Sequence, residues 1–179
     1  MLKIPIEKEE GSMFLLGEYQ NRIDPRGRAF VPVKFREQVG AVVYMVIDSR
    51  NCIECFDEKG IADKYENLSS AEGVLDSSTA VQGLNTHADT QLVDTQGRII
   101  IKPEFIELIG ADKDVVFLGA RNHFEIWAKD EYEKMKKHIE ERTKRANNLK
   151  DEEEEIRILE REVELQERRK ALLKRLEEK

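Results

Sequence analysis

The sequence is poor in the residues that mark secreted, fibrous and membrane-spanning chains. Two of its 179 residues are cysteine and four are proline, which argues against a disulfide framework and against a proline-rich, low-complexity chain. No apolar run approaches the ~18 residues that a membrane-spanning helix requires. The opening segment MLKIPIEKEEGSM has no basic stretch followed by an apolar one, as a secretory signal has. We therefore expect a cytoplasmic protein with reduced thiols and no partner in the membrane.

Positive charge is also scarce, since the formal net charge is −7 at pH 7. The acidic excess lies largely between Ile61 and Val93. The segment 22–36 contains one acidic residue, Asp24, and five basic ones: Arg22, Arg26, Arg28, Lys34 and Arg36. A basic segment on an acidic protein can bind a polyanion in a salt-sensitive way, so the net charge does not exclude nucleic acid.

A pentapeptide occurs twice in the chain, as DPRGR at 24–28 and as DTQGR at 94–98. The similarity extends over 18 residues, 24–41 and 94–111, of which seven are identical. After one insertion it continues through the Arg-Asn pairs of the two halves and aligns Glu54 with Glu125. The sequence therefore predicts a tandem duplication, so the fold should contain two copies of one structural unit.

Both halves predict the same order of elements. A strand (GEYQNRI, TQLV) precedes the repeated turn, and a second short strand follows it (RAFV, RIII). Next come a short helix with proline in its first turn and glycine at its end (PVKFREQVG, KPEFIELIG) and two more strands (VVYMVI and CIECF, DVVFL and HFEIWA). A final helix begins near Glu58 and near Lys129. Because each half is too small for a substantial core, we expect the halves to pair their sheets.

The composition divides the chain into five segments. We assign an N-terminal extension or tag, a first repeat, a small and polar connector, a second repeat and a charged helical tail, at residues 1–12, 13–67, 68–87, 88–137 and 138–179.

The tail has a marginal heptad pattern. Leu149, Ile156 and Val163 are seven residues apart, and Leu159 occupies the second seam position. Gln166 and Lys170 break the seam before the last leucines, Leu172, Leu173 and Leu176. A solvated helix and a coiled coil that binds another chain are both compatible with this pattern.

The repeated pentapeptide is typical of a tight turn. DPRG suits a type I turn, with aspartate first, proline second and glycine fourth. An aspartate side chain can accept from backbone N–H groups inside the turn, and glycine tolerates a positive φ where the hairpin resumes. Asp24, Gly27, Asp94 and Gly97 are therefore explained as turn-forming residues.

A turn does not require the arginine that closes both copies. Guanidinium groups on a rigid turn are suited to guanine edges and phosphates, so Arg28 and Arg98 are candidate DNA-binding residues. Arg26 at the tip of the first turn and Arg22 in the same basic segment are further candidate DNA-binding residues. The alternative for Arg28 and Arg98 is an ion pair with the turn aspartate that holds the hairpin together.

These motifs resemble one known family. The duplicated D-x-x-x-R, the segments GEYQNRIDPRGR, VPVKFRE and LVDTQGRIIIKPEF, and the later EIW are similar to the MraZ family of bacterial transcriptional regulators, over roughly residues 13–137. The resemblance implies an α+β fold of tandem-duplicated, AbrB-like small β-barrel half-units with short helices, here followed by the long charged helix. It also implies DNA contacts at Arg26, Gly27 and Arg28 of the first turn and at Arg98 of the second.

The resemblance further implies a function. MraZ proteins regulate the division and cell-wall gene cluster, form a closed ring, octameric or larger, and bind direct repeats in their own promoter. We accordingly expect a nucleoid-associated DNA-binding protein whose partners are double-stranded promoter DNA and further copies of itself. One alternative is a ring-forming adaptor that recruits a protein partner through the tail helix, and another is an RNA-binding module.

No catalytic, metal or cofactor site is predicted. Cys52 and Cys55 match C-x-x-C, but on a strand residues three apart point to opposite faces, and Cys55 aligns with Ile126, a core position. His123 is interpreted as a satisfied strand histidine, and Trp127 as a core or interface residue. With no recognisable nucleophile, paired-carboxylate or phosphate-loop motif, we do not expect an enzyme.

Overall fold

The computed structural model describes residues 14–70 and 77–177. The chain divides into two compact units, the first ending at Tyr132 and the second beginning at Glu133. The elements are β1 (Glu18–Arg22), β2 (Arg28–Phe30), α1 (Val33–Val39), β3 (Val42–Asp48), β4 (Cys52–Phe56), α2 (Glu58–Ser70), α3 (Ser77–Thr86), β5 (Ala88–Leu92), β6 (Arg98–Ile100), α4 (Pro103–Leu108), β7 (Asp114–Gly119), β8 (Phe124–Ala128) and α5 (Lys129–Glu177).

The strands of the two halves form one antiparallel sheet. Its order is β1-β7-β8-β4-β3-β5, and a separate two-stranded ribbon pairs β2 with β6. Exchanging the halves (β1 for β5, β3 for β7, β4 for β8) gives the same strand order, read from the opposite edge of the sheet. The duplication seen in the sequence is therefore an approximate two-fold symmetry of the sheet.

Each half completes its sheet with strands of the other half. β1 pairs with β7 and β5 pairs with β3, each over five residue pairs. The strands on either side of each turn thus pair with strands of the opposite half, and β1 and β2 do not form a simple hairpin with each other. The expectation that the halves pair their sheets is confirmed.

The symmetry centre lies between β4 and β8. There Ile53 pairs with Ile126, Glu54 with Glu125 and Cys55 with Phe124. Because side chains alternate across a strand, Glu54 and Glu125 lie side by side on one face, and the apolar pairs lie on the other.

The main core lies on the apolar face, under helices α1 and α4. The Phe35 ring of α1 lies 5.2 Å from Tyr19 and 5.4 Å from Phe124, and Phe124 lies 5.7 Å from Phe117, all measured between ring centroids. Phe105 of α4 is buried in the same cluster. Burial of each such ring stabilises the fold by roughly 1.5–3 kcal/mol, so both short helices are held by packing.

The predicted elements are confirmed with small shifts at their ends, and two further helical features are present. The connector contains helix α3, and α2 extends to Ser70. Helix α5 is 49 residues long, and its seam residues Leu149, Ile156, Leu159 and Val163 are exposed. The proposed extension 1–12 and the side chains of the last three leucines lie outside the described residues.

The described part of the chain contains no helix with the length and apolar character required to cross a membrane.

Candidate nucleic-acid interface

The first repeated turn is organised by the carboxylate of Asp24. The Gly27 amide donates to the Asp24 carbonyl oxygen at 2.9 Å, which closes the four-residue turn. The Asp24 Oδ1 atom accepts from the backbone amides of Arg26 and Arg28 at 2.8 and 2.9 Å. The turn-forming roles predicted for aspartate and glycine correspond to these contacts.

The second turn repeats this geometry. The Gly97 amide donates to the Asp94 carbonyl oxygen at 2.8 Å, and Asp94 Oδ1 accepts from the amides of Gln96 and Arg98, both at 2.9 Å. Two turns with different tips therefore share one backbone conformation, which the identical aspartate, glycine and arginine positions explain.

Each closing arginine forms an ion pair with its turn aspartate. Arg28 Nε and Nη2 both lie 2.7 Å from Asp24 Oδ2, and Arg98 makes the same contacts with Asp94 at 2.8 and 2.7 Å. The alternative that the sequence left open is therefore realised in both halves. Nη1 of each guanidinium remains as a further donor, so DNA contact by Arg28 and Arg98 stays a prediction.

The arginines lower the pKa values of the turn carboxylates. The hydrogen bond from the Arg28 side chain, followed by that from its backbone, lowers the pKa of Asp24 to about 2. The Arg98 side chain and backbone likewise lower the pKa of Asp94. Both carboxylates are ionised at neutral pH, and both pairs are intact there.

The two turns are joined by the β2–β6 ribbon. The Ile101 amide donates to the Gly27 carbonyl oxygen at 2.7 Å, and the Val31 amide donates to the Gly97 carbonyl oxygen at 2.9 Å. A Cβ added at Gly27 would lie 2.7 Å from the Ile101 oxygen, and its φ is +78°. Close approach of the other half and a left-handed backbone therefore both require glycine there.

One face of the ribbon carries both closing arginines. Arg28 pairs with Ile100, and Phe30 pairs with Arg98. These four residues share the outer face, where Phe30 and Ile100 are exposed and the Arg98 guanidinium lies 5.8 Å from the Phe30 ring. The intervening Ala29 and Ile99 are buried.

A cavity of about 790 Å³ adjoins the first turn. Its lining includes three predicted residues, Arg22, Arg26 and Gly27, together with Lys102 and Lys113 of the second half. Sequence reasoning missed the two lysines, because no local pattern indicates that they lie near the first turn. Arg22 is largely exposed, and its Nε lies 3.0 Å from Asp114 Oδ1.

The second turn has a different environment. A Cβ added at Gly97 would lie 1.5 Å from Arg36 Nη1, so the Arg36 side chain covers this turn. The residue aligned with Arg36 is Ile106, which lines the cavity beside the first turn. Arg26 and Gln96 occupy the two equivalent tips, and the first turn is consequently the more open and the more basic.

The two cysteines form no site together. Both are fully buried and unbonded, and Cys55 lies in the main core while Cys52 lies on the opposite face of β4. Burial raises the pKa of both thiols, which keeps them protonated and unreactive.

Comparison with known proteins places these observations in a family context. The model of the family described as "MraZ protein, putative antitoxin-like" matches residues 84–153. A protein named "Transcriptional regulator MraZ" from Caldanaerobacter subterraneus subsp. tengcongensis is 33% identical over 126 residues, 69% of this chain and 87% of that protein. A protein of the same name from Pelotomaculum thermopropionicum is 32% identical over 124 residues, 68% of this chain and 84% of that protein. Both names describe regulators, not enzymes.

Proposed function

Since the chain belongs to the MraZ family, we propose that it is a transcriptional regulator that binds duplex DNA through its two Asp-x-x-x-Arg turns. The target is a set of direct repeats in its own promoter, within the division and cell-wall gene cluster. The protein then acts in the cytoplasm on the nucleoid, and it is not an enzyme.

The observation that carries this proposal is the shared face of the β2–β6 ribbon. The face presents Arg28 and Arg98, and the basic cavity beside the first turn continues it with Arg22 and Arg26. The major groove of B-DNA admits a two-stranded ribbon, and arginine is the usual partner of a guanine edge. Exposed arginines next to the ribbon are suited to phosphates, which fix the position of a protein on DNA.

The ion pairs prepare the arginines for this role. Asp24 and Asp94 each hold one edge of a guanidinium, so the side chain loses less conformational entropy when it meets a base or phosphate. The open first turn supplies more contacts than the second, where Arg36 covers Gly97.

Self-association is part of the proposal. The exchange of β1 and β5 between halves supports an AbrB-like, swapped arrangement, and these two strands form the edges of the large sheet. Leu16 beside β1 and Leu92 in β5 are 62% and 71% exposed. Exposed edges and apolar side chains favour head-to-tail contacts, which close into a ring. A ring, octameric or larger, raises the effective affinity of a weak turn for repeated DNA boxes.

The test is a gel-shift with duplex DNA from upstream of the gene, at two salt concentrations. We expect salt-sensitive binding by the wild type and its loss in Arg28→Ala. Lys59→Ala, an exposed change on α2 that belongs to neither turn nor to the ribbon, is the matched control and should bind normally. Light scattering checks that assembly is unchanged, and an Arg28→Ala protein that binds like the wild type contradicts the proposal.

A second candidate, an adaptor that recruits a protein, rests on α5. Its seam residues at 149, 156, 159 and 163 are exposed on a 49-residue helix. Assembly without affinity for duplex DNA in the same gel-shift would favour this function, and tighter binding of single-stranded RNA would instead favour an RNA-binding module.

A further inference from the structure

A cluster of polar residues lies at the symmetry centre, on the face of the sheet opposite the main core. Glu54 of β4 and Glu125 of β8 are direct register partners, 5% and 4% exposed. Two carboxylates buried side by side repel each other and are costly unless cations compensate them. Here Arg50 and Lys64 lie within ion-pair distance of them and compensate their charges.

His123, immediately before β8, contributes a third ligand atom to the cluster. Its ring stacks on Phe56 with a centroid distance of 4.8 Å, and its Nδ1 lies 3.1 Å from Asn122 Oδ1. When Nδ1 donates to this oxygen, the neutral ring carries its lone pair on Nε2.

The Nε2 atom faces both carboxylates without hydrogen-bonding to either. It lies 3.5 Å from Glu125 Oε1 and 3.7 Å from Glu54 Oε1. It is buried and has no hydrogen-bond partner among the described residues. The two carboxylate oxygens and the imidazole nitrogen thus face one point. A cation placed between them would stabilise this arrangement.

We propose that Glu54, His123 and Glu125 bind a divalent transition-metal ion, for which Zn²⁺ is the best fit. Two carboxylate oxygens and one imidazole nitrogen form a ligand set typical of this ion, with a fourth position open to water. Bonds of ~2.0–2.2 Å place tetrahedral ligands about 3.3–3.6 Å apart. The three ligand atoms lie within 4.8 Å of one another, at 3.5 and 3.7 Å for the two measured nitrogen–oxygen pairs.

Outer contacts hold the ligands in this orientation. Trp127 Nε1 donates to Glu125 Oε2 at 2.8 Å, and Lys64 Nζ lies 2.5 Å from Glu54 Oε2. Each carboxylate therefore keeps its Oε1 atom turned to the centre. Metal sites characteristically fix their ligands by such second contacts.

Arg50 currently bridges the two central oxygens and would compete with the ion. Its Nη2 lies 2.8 Å from Glu125 Oε1 and 3.2 Å from Glu54 Oε1. The side chain is half exposed, and its Nε also contacts Asp48 Oδ1 at 2.5 Å. Rotation towards Asp48 would release both oxygens, so the guanidinium and the metal occupy the centre alternately.

The experiment is a calorimetric titration of Zn²⁺ into the full-length protein after removal of metal with a chelator. The visible absorption spectrum of Co²⁺, bound in place of Zn²⁺, reports the coordination geometry of the ion. We expect one ion per chain for the wild type, at least tenfold weaker binding for His123→Asn and several-fold tighter binding for Arg50→Gln. The matched control replaces the chain's other two histidines, His87 and His138, both exposed, and should leave the affinity unchanged.

The direction of the Arg50→Gln effect separates a metal site from an ion-pair network. If the cluster is only a network, loss of Arg50 leaves the affinity for zinc no higher. That result overturns the proposal. The proposal is also overturned if the wild type does not bind Zn²⁺, or if His123→Asn binds Zn²⁺ as tightly as the wild type does. Glu54→Gln replaces His123→Asn if circular dichroism shows the latter unfolded. None of these outcomes depends on DNA binding, so this proposal and the regulatory one fail separately.

Discussion

At the scale of single residues, Asp24 and Asp94 each combine three tasks. One oxygen accepts two backbone amides of the turn, the other holds the closing guanidinium, and the carbonyl closes the turn. The same carboxylate therefore shapes the loop and orients the arginine. Replacing it affects both the stability of the turn and the presentation of the arginine.

The first prediction concerns acid pH and Asp24. Its pKa falls from 3.8 to about 2 because the Arg28 side chain and backbone donate to it. A lowered pKa contributes stability above the unfolded value, and this stability is lost as pH falls through the folded one. The wild type should therefore lose stability between about pH 4 and pH 2.

Urea unfolding of the wild type and Asp24→Asn at pH 7, 4 and 2.5 measures this effect. The variant should be less stable at pH 7, and the difference should shrink towards pH 2.5. Equal differences at all three pH values would show that the charge of Asp24 makes no contribution.

At the scale of elements, the turns and the short helices obey different constraints. The Asp24 turn is fixed by hydrogen bonds and by contact with Ile101 of the other half. Helices α1 and α4 are only seven and six residues long, too short to be stable alone, and depend on Phe35 and Phe105 in the core. Glycine therefore has opposite consequences in a turn and on a helix.

The second prediction compares two glycine-to-alanine changes. Gly27→Ala forces a Cβ into a left-handed backbone and towards the Ile101 oxygen, at a cost of about 1–3 kcal/mol. Gly83→Ala, in exposed helix α3, where the added Cβ meets no atom within 4 Å apart from the local helix backbone, should instead stabilise by about 0.5–1 kcal/mol. Thermal unfolding of both variants measures the two signs, and an equal effect would contradict the turn geometry.

At the scale of the whole molecule, the halves of the first unit are interdependent. β1 has its partner in β7 and β3 has one partner in β5, so each half lacks a neighbour without the other. The β2–β6 ribbon and the β4–β8 pairing also join the halves. The duplicated unit is consequently one folding unit made of two similar sequences.

The third prediction follows from this interdependence. A chain that ends at Ser70 loses the only strand partners of β1 and β2 and one of the two partners of both β3 and β4, and we expect it to be unfolded. Circular dichroism and amide exchange test this, with a chain ending at residue 138 as the control that keeps every strand. A folded, cooperatively melting half would contradict the exchange of strands.

The sequence by itself determined the elements and the repeat. Local signals are sufficient for both: proline and glycine delimit the helices, apolar runs mark the strands, and the D-x-x-G-R identity marks equivalent turns. The buried state of Cys55 and Trp127 also followed from alignment of the halves and from strand composition. Composition alone predicted only a connector where helix α3 lies, because its small, polar residues carry a weak helical pattern. The helix depends on packing beside α2, where Leu84 packs against the cluster of Val46, Phe56 and Ile61.

Only the tertiary structure decided which elements and side chains meet. Strand alternation predicts which face is buried but does not specify a partner, so the pairing of β1 with β7 was not readable from the chain. For the same reason the sequence did not predict that Lys102 and Lys113 lie beside the first turn. Nor did it predict that Glu54 and His123, which are 69 residues apart in sequence, lie close together. The sequence also left open whether Arg28 and Arg98 are free or paired with the turn aspartates. Only the structure answers this, because an ion pair depends on distances that a sequence motif does not encode.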